Sequence, residues 1–133
     1  MSTVRAQYKG VTKMKFEDLK GMTFVSVERI IEYDEDILQF ISNEGRIFQQ
    51  YHQQDWCESV GIEEIHGDLK DLVGSPIIYA NEVSSSGEGT YADSQTWTFY
   101  NLATIKGHVT VRWLGESNGY YSESVDFREV QNS

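Results

Sequence analysis

Short runs in which apolar and polar residues alternate, each closed by a turn signal, recur along this chain, and they constrain its fold more than any other feature. In His108-Val109-Thr110-Val111-Arg112-Trp113-Leu114 the alternation puts Val109, Val111 and Trp113 on one face of a strand and Thr110 and Arg112 on the other. Gln95-Thr96-Trp97-Thr98-Phe99-Tyr100 alternates in the same way, and Ile105-Lys106-Gly107 turns one run into the next. Further strands are predicted over 23–30, 37–41, 46–52, 57–65, 76–83 and 120–127. Asn43-Glu44-Gly45 and Ser117-Asn118-Gly119 provide hairpin-like turns, because Asn and Gly tolerate positive φ. Phe16 to Gly21 could form one helical turn stopped by glycine, and the best helical signal spans 67–74: Asp68 can cap it, Leu69, Leu72 and Val73 share a face, and Gly74 stops it before Pro76. Ser84 to Thr90 has the composition of a loop. The expected fold class is therefore α+β, mostly antiparallel β-sheet arranged as two meanders, with one short helix.

Residues 56–65 and 121–130 resemble each other, with Glu, Ser, Val and a later Glu in common positions. Either two β-strands match by chance, or the meander is duplicated.

The chain has 133 residues, with 39% hydrophobic and 13% aromatic content, which suits one globular domain able to bury a core without disulfides. Its charge is uneven. Residues 1–15 carry Arg5, Lys9, Lys13 and Lys15 and no acid, and read as a flexible basic arm. Residues 16–133, read as a single β-rich domain, hold 21 acids against 7 bases. A body so acidic repels nucleic acid, whose binding rests on Lys and Arg contacts to phosphate. It suits either a solvated surface or an acidic face that docks on a basic partner. With one cysteine there is no intrachain disulfide, no apolar run reaches a membrane-spanning length of about 20 residues, and residues 1–12 lack the apolar stretch of a signal peptide. A cytoplasmic protein with no membrane partner is expected.

Two constellations could carry chemistry. His52, Asp55, Cys57, Glu58, His66 and Asp68 lie close together in sequence. Zinc accepts such N, S and O ligands, yet neither CxxC nor HExxH spacing occurs. A Cys57 nucleophile is disfavoured by Glu58, since nearby negative charge raises a thiol pKa. Walker-type, GxGxxG and GxSxG motifs are absent as well. No catalytic residue, resident metal or cofactor is expected. The second constellation is aromatic and polar together: Trp97, Phe99, Tyr100, Arg112, Trp113, Glu116, Asn118, Tyr120, Tyr121 and Glu123. Aromatic faces stack bases and arginine grips phosphate bidentately. Arg112, in mid-strand where bases are scarce, either pairs with a carboxylate such as Glu123 or holds an anion.

The strings Tyr51 to Val60, Gly67-Asp68-Leu69 with Gly74-Ser75-Pro76-Ile77, Thr96 to Tyr100, Thr104 to Gly107, and Arg112 to Phe127 together resemble a family of small phage- and prophage-borne proteins described only as a domain of unknown function. The resemblance spans roughly residues 14–130. In that family a second cysteine often stands where this chain has Trp56, a departure that weighs against a metal or paired-thiol site. The resemblance implies a phage origin and a site of action in an infected bacterial host. By analogy with unrelated phage proteins, it suggests a counter-defence binding protein that sequesters a nucleotide-derived immune signal in a closed pocket without turnover. On that reading Arg112 holds phosphate, Trp97, Trp113, Tyr120 or Tyr121 stacks a base, and Asn118, Glu123, His52, Asp55 or Glu58 bonds ribose or base edges. A homo-oligomer would enclose the ligand between subunits. The alternatives are an acidic protein–protein inhibitor of a host defence enzyme and an enzyme that degrades the signal.

Overall fold

The computed structural model describes residues 8–52, 59–87, 94–117 and 125–132. Nine strands and two 3-10 turns follow in order: β1 (Tyr8–Lys13), η1 (Phe16–Leu19), β2 (Phe24–Glu32), β3 (Glu35–Ser42), β4 (Ile47–Tyr51), β5 (Ser59–His66), η2 (Leu69–Leu72), β6 (Tyr79–Gly87), β7 (Ser94–Thr104), β8 (Gly107–Ser117) and β9 (Asp126–Asn132). They form two antiparallel sheets, one ordered β1-β9-β4-β3-β2 and the other β5-β8-β7-β6. β2-β3-β4 and β6-β7-β8 are the two meanders.

Alternation builds the core. Phe24, Val27, Leu38, Phe40, Phe48 and Phe127 of the five-stranded sheet meet Val60, Ile62, Ala80, Tyr100, Leu102, Val109, Val111 and Trp113 of the four-stranded sheet. Phe16 and Leu19 of η1 join them, and Phe16 lies 4.7 Å from the Tyr100 ring. Aromatic rings on β-branched and aliphatic neighbours supply large apolar areas, each fully buried side chain contributing on the order of 2 kcal/mol.

Several expectations are corrected here. The predicted helix over 67–74 is only the 3-10 turn η2. Asp68 caps it as expected, its carboxylate accepting from Lys70 N at 2.9 Å, but the chain turns extended at Val73. Four residues give no room for an i→i−4 ladder, and Leu72 packs in the core as a turn residue. Residues 8–13, assigned to a basic arm, form β1 and pair with β9 from Tyr8↔Asn132 to Lys13↔Arg128. The stretch 84–87, assigned to a loop, continues β6. The last strand, β9, does not pair with β8, the strand that precedes it in sequence. It crosses to the other sheet and pairs with β4 and β1.

The two halves repeat one plan. Each runs strand, 3-10 turn, then three-stranded meander; in the second sheet the first strand, β5, pairs with the fourth, β8, and in the first sheet β9 stands between the corresponding β1 and β4. The halves meet reciprocally. Gly21 N donates to Ile77 O at 2.7 Å and Gly74 N to Phe24 O at 2.9 Å, while Thr23 bridges Pro76 between them. Gly21 (φ 91) and Gly74 (φ 85) both take the left-handed conformation that ends each 3-10 turn. The shared plan matches β1-η1-β2-β3-β4 with β5-η2-β6-β7-β8. The sequence likeness of 56–65 to 121–130 instead couples β5 to the inserted β9.

Candidate functional site

The outer face of the four-stranded sheet gathers the functional groups. Arg112 stands opposite Phe99 of β7 on one side and Glu64 of β5 on the other. Its Nη2 lies 3.0 Å from Glu64 Oε2, and its guanidinium carbon sits 5.1 Å from the centre of the Trp97 ring, at cation–π distance. Arg112 Nε is buried and has no hydrogen-bond partner. The side chain as a whole stays 34% exposed and that of Glu64 53%, so the ion pair faces solvent and its carboxylate is free to swing away. Beside Arg112 lie two shallow hollows, one of about 240 Å³ lined by Glu64, His66, Phe99, Thr110 and Arg112, the other of about 250 Å³ lined by Ser85, Trp97, Phe99 and Arg112. The neighbouring rung is polar and prearranged. Thr110 Oγ1 donates to Asn101 Oδ1 at 2.8 Å, and Asn101 Nδ2 donates to Asn81 Oδ1 at 3.0 Å.

Of the site residues named from sequence, Arg112 and Trp97 come together here. Trp113 does not. It is 1% exposed, faces the core, and donates its indole N–H to Gln50 Oε1 at 2.6 Å, so its ring is not available to stack a base. Strand alternation is the reason: Trp113 follows Arg112 and points to the opposite face. His52 is buried at the end of β4 in the other sheet, with the core between it and Arg112. Asn118, Tyr120, Tyr121, Glu123, Asp55 and Glu58, like Cys57, lie outside the described residues. The carboxylate at Arg112 is Glu64, a partner that depends on the β5–β8 pairing.

Phe99, part of the aromatic constellation read from the sequence, lines both hollows, whereas sequence reasoning missed Glu64 and Thr110 as lining residues and missed a second arginine–aromatic pair altogether. On the outer face of the five-stranded sheet Arg128 lies 3.9 Å over the Tyr51 ring and donates from Nε and Nη2 to Gln49 Oε1 at 3.1 and 2.8 Å. Gln49 in turn donates to Gln39 Oε1 at 2.9 Å. Arg128 is 9% exposed and Gln49 fully buried, so this cluster is closed, whereas that of Arg112 is open. The Gln49-Gln50 pair inside an otherwise apolar strand was the signal. A larger hollow of about 880 Å³ runs between β2 and η2. Two of its cations are committed, Arg29 to Asp36 and Ile62 O, and Lys106 to Val73 O. Among the described residues no three His, Cys, Asp or Glu side chains cluster closely enough to hold a metal ion. Nor is any described helix long and apolar enough to cross a membrane.

These features define a two-sheet antiparallel β protein with an arginine–aromatic face on its smaller sheet. Residues 9–127 match the family model of the domain of unknown function DUF7448, and the chain belongs to that family. The match takes in residues 9–13 of β1, which lie N-terminal to the span of the resemblance read from the sequence. No curated protein and no solved structure matches the chain.

Proposed function

We propose that this chain is a binding protein that sequesters, without turnover, an anionic nucleotide-derived ligand on the outer face of its four-stranded sheet. The observation that carries the reading is Arg112: a mid-strand arginine, stacked on Trp97, with, among the described residues, no partner at Nε and a solvent-exposed carboxylate, Glu64, at Nη2. A phosphate that displaced Glu64 would take Nε and Nη2 together, the bidentate geometry in which arginine binds oxyanions most strongly. Phe99 and Trp97 line the adjoining hollows and offer apolar contact to a base. Thr110 and His66 offer polar contacts on the other side. In the setting that the phage resemblance suggests, the ligand is an immune signal of the infected bacterium.

The test begins with purified protein incubated in a lysate of bacteria whose nucleotide-based immune signalling has been triggered. The protein is washed and heat-denatured, and the released material is read by mass spectrometry. An intact nucleotide-like mass is expected from the wild type and at least about tenfold less from Arg112→Ala, since a charge-assisted pair contributes roughly 1.5–3 kcal/mol. Arg112→Lys is not expected to rescue it, because a point charge cannot reproduce the fork. Equal release from the variant sinks the reading.

The net charge of −10 favours one second reading, an acidic inhibitor that occupies a basic groove on a host enzyme. Its binding would weaken steeply with salt and would not depend on Arg112.

A further inference from the structure

The two open sheets have four edge strands, β1, β2, β5 and β6. Three of them carry a register break: β1 between Tyr8 and Gly10, β2 between Phe24 and Ser26, and β5 between Ile62 and Glu64. Bulges of this kind, with lysines and prolines, are how proteins keep sheet edges from pairing with another chain. β6 has none of these devices. It runs 9 residues in unbroken register with β7, from Tyr79↔Ala103 to Gly87↔Gln95, and contains no Lys, Arg or Pro. Among the described residues no backbone hydrogen bond from another segment reaches the free side of β6. The nearby η1 packs through the core residues Phe16 and Leu19 instead. Large apolar side chains of this strand are exposed, Tyr79 at 46% and Val83 at 49%.

We propose that β6 is a dimerisation edge, and that two copies of this chain pair their β6 strands antiparallel about Val83 into one continuous sheet. Charge selects a second copy in this register. Glu82 is the only charged residue of β6. Pairing centred on Val83, the midpoint of the strand, sets Glu82 against the partner's Ser84, Asn81 against the partner's Ser85, and the two Val83 side chains against each other. Centring on Glu82 would oppose two carboxylates, a destabilising cross-strand pair. For a chain of net charge −10, a strand with one carboxylate is also where two copies meet with little repulsion. The arrangement is isologous and closes as a dimer. It stands independently of the ligand reading. If both hold, the partner's Asn81 abuts Ser85 and adds a wall to the hollow beside Trp97.

Sedimentation velocity over a range of protein concentrations, together with oxidative cross-linking, tests the proposal. The wild type is expected to sediment at twice its 15.3 kDa mass, and Val83→Lys at the monomer mass with an unchanged circular dichroism spectrum. In a Cys57→Ser background, Val83→Cys is expected to form an interchain disulfide at least about tenfold faster than Tyr79→Cys, because only the symmetric centre brings identical Cβ atoms within disulfide reach. This cross-linking comparison decides the matter if Val83→Lys fails to fold. A wild-type monomer throughout the range, or a dimer that cross-links equally well through both cysteines, overturns the proposal.

Discussion

Arg112 and Trp113 are consecutive in sequence and opposite in role, and the contrast gives a clean experiment. Trp113 fills the core and satisfies its indole N–H on Gln50, whose Nε2 is left buried without a partner. Replacing it with Ala leaves a large cavity and is expected to cost about 3–5 kcal/mol, a large fraction of the roughly 5–15 kcal/mol that holds a domain folded. Trp113→Phe keeps most of the packing, and its stability loss, read by urea denaturation, should come without loss of ligand. Trp97 behaves in the opposite way. It is partly exposed on the outer face, so Trp97→Ala is expected to change the urea midpoint little and to lower ligand retention as Arg112→Ala does. A Trp97 variant that loses stability but retains ligand would assign the ring to packing. Tyr100 shows the same polarity of faces. Burial, with Glu82 nearby, pushes its phenol well above the ordinary tyrosine range, so it stays neutral and bonds Val125 O.

Among the elements, the β2–β3 hairpin carries the clearest conflict between sequence and conformation. Tyr33 (φ 52) and Asp34 (φ 61) form its two-residue turn, and both take the left-handed conformation that non-glycine residues adopt at a cost. Tyr33 is 76% exposed, so nothing is lost by replacing it. The double change Tyr33→Asn and Asp34→Gly is expected to stabilise the protein by about 1 kcal/mol, visible as a raised Tm. Gly67 is the reverse case. At φ 104, and with a Cβ built there 2.5 Å from His108 O, Gly67→Ala should cost roughly 1–3 kcal/mol by the same measurement. Such local signals explain what was legible. The strand faces around Val109-Thr110-Val111-Arg112-Trp113 follow from alternation, and the turn at Asn43-Glu44-Gly45 follows from its residues. The crossing of β9 to the first sheet and the β5–β8 pairing that brings Glu64 to Arg112 are contacts far apart in sequence, and no local period encodes them. Sequence proximity points from Arg112 to Glu123, whereas the β5–β8 register brings Glu64. The place of Trp113 is legible by contrast, because the same alternation that turns Arg112 outward turns Trp113 to the core.

At the scale of the whole molecule, one ion pair ties the inserted strand to the first meander. Arg46, next to the β3–β4 turn, donates from Nε and Nη2 to Glu129 of β9 at 2.9 and 3.0 Å and lies over the Phe48 ring. The bidentate bond, with the guanidinium charge, holds the Glu129 carboxyl below its ordinary value, against a smaller opposing effect of burial. A carboxylate whose folded pKa is depressed binds protons more readily in the unfolded chain. Its contribution to stability is therefore fully present above the unfolded value, near 4.5, and is lost as pH falls from there through the folded value. Arg46 is 43% exposed, so the effect is screened and should amount to less than about 1 kcal/mol. Acid also relieves the mutual repulsion of a chain with 21 acidic residues, which works in the opposite direction. The two are separable with Glu129→Gln, which removes the first effect and leaves the second nearly intact. Urea unfolding at neutral pH should show the variant less stable than the wild type. The difference should shrink as the pH is taken below the ordinary carboxylate range, and high salt should narrow the neutral-pH gap. A difference that stays constant from neutral to acid pH would mean that Glu129 stabilises β9 by packing and not by its charge.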